Sequence, residues 1–127
     1  MRNPGAILVA EIDRAIADLI MEILRDDGYT VSIAHDRSAT LAAAAAQPPA
    51  LVLLDAHIPS LDAAGLHSHI AERHHVSVPI ITTTTHAPIA TALNSRDGWA
   101  CLAKPFSLDA LMAHVTHYVP LAGSPAA

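Results

Sequence analysis

The chain has 127 residues, 52% of them hydrophobic and 15% charged, enough apolar content for one packed domain and too much for a disordered segment. Seven basic against twelve acidic residues leave a net charge of −5 with no basic run, which argues against direct nucleic-acid binding, and no apolar stretch is long enough to span a bilayer. A single cysteine, Cys101, excludes an internal disulfide and points to the cytoplasm.

Along the chain, apolar runs alternate with helical patterns. "AILVAE" (6–11) reads as a strand. In residues 13–28, Ile16, Leu19, Ile20, Ile23 and Leu24 recur on one helical face; Asp13 suits the start and Gly28 the left-handed stop. "YTVSIA" (29–34) alternates as a second strand. Residues 36–49 form a second helix, with Ser38 as its cap, an alanine run inside it and Pro48 and Pro49 to end it. "LVLLD" (51–55) is a continuous apolar run, as in a strand buried on both faces, yet it ends in a carboxylate. A helix over 61–75, a strand over 78–84, a short helix over 87–95, a strand over 99–103 and a helix over 107–119 capped by Ser107 complete the pattern. The last helix places Leu108, Leu111, Met112 and Val115 on its buried face. Residues 1–120 are expected to be one domain and 121–127 a flexible tail.

Strands alternating with helices imply parallel pairing through right-handed crossovers, giving an open five-stranded α/β sheet covered on both faces. Ligands of such sheets bind beyond the carboxyl ends of the strands. Glu11, Asp55, the threonine run 82–85 and Lys104 all fall there, and Asp13 lies just past its strand.

The order "ILVAEID", "LVLLDAHIP", "PIITTTT", "CLAKPF" resembles the receiver domain of two-component response regulators, a flavodoxin-like (βα)5 fold, over roughly Ala6 to Val119. The resemblance implies that Asp55 is the phospho-acceptor, that Lys104 pairs with the phosphoryl group and that the Thr84 hydroxyl swings toward it. It also implies a cis peptide before Pro105. Mg²⁺ would be sought among Glu11, Asp13, Asp55 and the backbone carbonyl of His57. The chemistry suits these types: a carboxylate can attack phosphorus, and a cation must offset the charge that gathers there. Lys104, the one lysine among seven basic residues, brings a compact ammonium.

Two positions and one stretch depart from the family pattern. Ile12 stands where the family has its main acidic metal ligand, so Mg²⁺ binding is expected to be weak or absent. Cys101 replaces an aromatic residue coupled to the Thr84 position. The stretch from Thr84 to Lys104 is about two residues short by the family's spacing. Nine histidines invite a metal reading, but "HSH" sets its rings about 200° apart on a helix, and no zinc spacing occurs. Cys101 is expected to pack rather than react. His114, His117 and Tyr118 are candidates for a partner-facing patch.

The resemblance thus implies a single-domain signalling receiver, not an enzyme. A histidine kinase or phosphotransfer protein would act as donor, a downstream protein would read the state, and a second copy is a further candidate partner. The alternative is a pseudo-receiver, the same fold used for binding or dimerisation without phosphate control. A phosphatase with an aspartate nucleophile is set aside, because that class generally wants a second aspartate at position 57, where this chain has His57.

Overall fold

The computed structural model describes residues 5–85 and 100–120. Five strands form one sheet: β1 (Ala6–Ala10), β2 (Thr30–Ala34), β3 (Leu51–Asp55), β4 (Ile80–Thr84) and β5 (Cys101–Ala103). They are parallel throughout, in the order β2-β1-β3-β4-β5. Four helices are described: α1 (Arg14–Asp26), α2 (Arg37–Ala46), α3 (Ala63–His74) and α4 (Leu108–Tyr118). The helix expected over 87–95 lies outside the described residues, as do His86, Trp99 and the tail 121–127.

The pleat sorts the strand residues into two cores. Ile7 and Val9 of β1 and Leu51 and Leu53 of β3 face one side, with Ile20 and Leu24 of α1 and Leu111 and Val115 of α4. Leu8 and Ala10, with Val52 and Leu54, face the other, against Ala44 of α2 and Leu66 and Ile70 of α3. β3 is therefore apolar at every position because it is covered on both faces, as its sequence implied. Cys101 is buried in β5, in register with Thr82 of β4. Tyr29, just before β2, anchors the end of α4: its hydroxyl donates to the Val119 carbonyl at 2.6 Å.

Helix starts follow side-chain capping. The Asp13 carboxylate accepts from the Ile16 amide, and Ser107 accepts from Ala110, both as expected. For α2 the cap is Asp36, not Ser38: its carboxylate accepts from the Ala39 amide at 2.7 Å, and Ser38 lies inside the helix. Gly28, just past α1, has φ 99°, the left-handed turn anticipated for it.

Two residues assigned to the buried faces are not buried. Leu19 of α1 is 54% exposed and Leu108 of α4 is 49% exposed. The apolar stripe on α1 is wider than the sheet can cover, and its outer edge turns toward the loop that follows β5.

Candidate functional site

Between β1 and β3 the strand order reverses, and the crevice opened there is where ligands of such sheets bind. β1 runs out into Glu11 and β3 ends at Asp55; both are buried, at 2% and 1% exposure. β4 ends at Thr84, also buried, and its carbonyl accepts from the Lys104 amide at 2.6 Å just beyond β5. Four residues separated by up to 93 positions thus meet at one edge of the sheet, as the sequence predicted.

The Asp55 carboxylate is held by main-chain donors. Oδ1 accepts from the His57 amide at 2.9 Å and Oδ2 from the Ile12 amide at 3.2 Å. Lys104 Nζ stands 3.5 Å from Asp55 Oδ1 but 2.7 Å from Glu11 Oε1, so the ammonium sits closer to Glu11. The other Glu11 oxygen accepts from the Asp13 amide at 3.0 Å. His35 Nδ1 pairs with the Glu11 carbonyl, fixing the end of β1 from the side of β2. The Lys104–Pro105 peptide is cis, as the resemblance implied.

These contacts separate the two carboxyls electrostatically. Burial pushes the Glu11 carboxyl above its ordinary value and the Asp55 carboxyl beside it adds to this, while Lys104 and the Asp13 amide only partly pull it back. Burial opposes ionisation of Asp55 as well. There the hydrogen bond with Glu11, the His57 and Ile12 amides and the Lys104 charge together outweigh it and hold the carboxyl below its ordinary value. Of the two, Asp55 is the more readily ionised, a carboxylate able to act as a nucleophile beside the Lys104 ammonium.

An octahedral cation requires oxygen ligands around it, and the side chains here that offer them, Glu11, Asp13 and Asp55, are already engaged. Each oxygen of Asp55 and Glu11 already accepts from an amide or the ammonium. Asp13 spends Oδ1 on capping α1. Ile12 contributes its amide, and its side chain is 47% exposed. Among the described residues no three His, Cys, Asp or Glu side chains are grouped so as to hold a metal ion.

One contact at the site had no signal in the sequence. The His57 imidazole crosses to the end of β4, where Nε2 meets the Thr85 amide at 3.2 Å and the Thr85 hydroxyl at 2.8 Å. Beside this mouth runs an apolar groove of about 430 Å³ between α1 and the β5–α4 connection, lined by Ile16, Leu19, Ile23, Pro105, Phe106 and Leu108.

A doubly wound parallel sheet with a buried aspartate at the switch point and a lysine just past the last strand defines the class of CheY-like α/β proteins. Comparison with known proteins makes the assignment specific. The family model described as response regulator receiver domain matches residues 7–116, and the chain belongs to that family. It is 33% identical over 109 residues to the nitrogen assimilation regulatory protein NtrX of Azorhizobium caulinodans, covering 84% of this chain and 24% of that protein. It spans between about a quarter and a half of the curated relatives it matches. A CheY-like receiver from Methanospirillum hungatei superposes with a TM-score of 0.75 at 24% identity, covering 91% of this chain and 93% of the other. The receiver domain of a sensor histidine kinase from Pseudomonas aeruginosa, solved with magnesium coordinated in its active-site cleft, gives 0.72 at 26% identity, covering 91% and 97%. The chain is a receiver domain of two-component signalling. No described helix is long and apolar enough to cross a membrane.

Proposed function

We propose that this receiver works as a cytoplasmic phosphoryl-accepting signalling module rather than an enzyme, with Asp55 as acceptor and only weak dependence on, or affinity for, Mg²⁺. The observation that carries the reading is the buried Asp55 carboxyl at the end of β3 with Lys104 Nζ 3.5 Å from its Oδ1. In the transfer, an Asp55 oxygen forms a bond to phosphorus as the P–N bond to the donor's phosphohistidine breaks. The bonding electrons leave with the imidazole nitrogen, which takes up a proton. Lys104 offsets charge on the phosphoryl oxygens, and the Thr84 hydroxyl moves in to donate to one of them. In relatives that hold it, magnesium offsets further charge; here Ile12 removes a carboxylate from that task, and Glu11 is engaged with Lys104.

The donor is a histidine kinase or a phosphotransfer protein, and a downstream protein reads the state. The apolar groove adjoining Lys104 and Thr85 is the surface we assign to the donor, because a partner seated there reaches the mouth of the site.

Incubation with acetyl phosphate, followed by intact mass, tests the reading. A phosphoryl adduct forms on the wild type, is absent from Asp55→Asn, and forms faster with Mg²⁺ in Ile12→Asp. The second reading, a pseudo-receiver, is favoured by the short Glu11–Lys104 pair, which draws the ammonium away from Asp55. No adduct on either the wild type or Ile12→Asp, with Mg²⁺ present, would establish it.

A further inference from the structure

His57 is exposed, yet its imidazole is not free. A main-chain N–H can only donate, so the Thr85 amide at 3.2 Å makes Nε2 the acceptor and puts the ring proton on Nδ1. The Thr85 hydroxyl, 2.8 Å from the same nitrogen, then donates as well. The backbone of the same residue donates to Asp55 Oδ1. His57 therefore grips the acceptor carboxylate with its amide and the residue after Thr84 with its ring. It joins two strand ends that are otherwise linked here by the Ala56 amide and the Thr83 carbonyl.

We propose that the His57 imidazole is a positioning residue, a clamp that holds the Thr84–Thr85 corner in its resting place. On the reading of Asp55 as acceptor, the Thr84 hydroxyl must advance toward the phosphoryl group. The corner that carries it is tethered at the next residue, so the advance requires the tether to yield. The clamp biases the switch toward the unmodified state. It acts through Thr85 and needs no contact with the phosphoryl group.

Two arms test this on the intact chain. Without any phosphoryl mimic, amide hydrogen exchange at Thr85 is expected to be about three- to tenfold faster in His57→Ala, the loss expected for one exposed side-chain hydrogen bond, and to be restored in His57→Gln, whose side-chain oxygen can accept. With beryllofluoride and Mg²⁺, in the Ile12→Asp background that supplies the missing carboxylate, His57→Ala is expected to bind the mimic about three- to tenfold more tightly than Ile12→Asp alone. Thr85→Val, which keeps the amide and loses the hydroxyl, shifts affinity the same way by less. The double variant binds no more tightly than His57→Ala alone, because both changes break one tether. Unchanged Thr85 exchange in His57→Ala, equal or weaker binding of the mimic, or additive effects of the two substitutions would each overturn the clamp. If Thr85 exchange responds while no variant binds beryllofluoride even in the Ile12→Asp background, the tether at Thr85 stands, and the bias on the switch falls together with the acceptor role of Asp55.

Discussion

Lys104 faces two carboxylates and stands nearer the one that does not carry the phosphoryl group in our reading. Glu11 at 2.7 Å competes with Asp55 at 3.5 Å for one ammonium, and the two carboxyls divide their proton accordingly. The pH dependence follows. Glu11 keeps its proton in the folded chain to a pH above its ordinary 4.5. Between 4.5 and that raised value the folded state binds more protons than the unfolded one, so stability falls as pH rises through the window. In Glu11→Gln that contribution is gone. The stability of Glu11→Gln relative to wild type is expected to increase from pH 4.5 upward and then level off, measured by urea denaturation at stepped pH. A difference that is flat with pH would refute the raised Glu11 value. Asp55 works in the opposite sense: its depressed carboxyl contributes stability above its ordinary 3.8 that is lost only as pH falls below it. At the position between them, Ile12→Asp is expected to convert weak or absent Mg²⁺ binding into saturable binding, followed by amide shifts in an Mg²⁺ titration. Because the Ile12 side chain is nearly half exposed, the fold should absorb the change with a stability cost of less than about 1 kcal/mol.

At the scale of elements, the α2 cap distinguishes what a sequence can disclose from what it cannot. "HDRSAT" offers two side chains able to cap a helix, Asp36 and Ser38, and hydrophobic spacing does not choose between them because the helix is mostly alanine. The choice depends on where β2 ends: the chain leaves the sheet at Ala34, and Asp36 is the residue with extended backbone before the first turn. Asp36→Ala is expected to cost about 1 kcal/mol, and Ser38→Ala to fall within about 0.5 kcal/mol of wild type, in thermal or urea unfolding. The strands were legible because their apolar runs match burial on both faces, and Glu11, Asp55, Thr84 and Lys104 were legible because parallel strands bring their carboxyl ends to one edge. Leu19 and Leu108 were misplaced for the converse reason. Periodicity reports which residues share a helix face, and only the packed sheet decides how much of that face is covered. His57 and Thr85 are 28 positions apart on different loops, a pairing no local pattern encodes.

At the scale of the whole molecule, two of the exposed apolar side chains among the described residues lie together. Leu19, half-exposed on α1, and Leu108, half-exposed at the start of α4, flank a groove that runs to Lys104 and Thr85. Covering such side chains contributes about 25 cal/mol for each Å² of apolar area removed from water, so a donor protein that docks there gains affinity that a small donor cannot use. The two kinds of donor therefore separate the groove from the chemistry. Leu19→Ser and Leu108→Ser replace exposed side chains and should change stability little. With acetyl phosphate, both variants are expected to acquire the Asp55 adduct at the wild-type rate, because the pocket of Glu11, Asp55 and Lys104 is unchanged. With a phosphorylated phosphotransfer domain as donor, transfer is expected to fall, chiefly through weaker docking, by about tenfold for each buried leucine lost. Equal loss with both donors would place the leucines in the support of the pocket, and no loss with either would move the docking surface elsewhere on the domain.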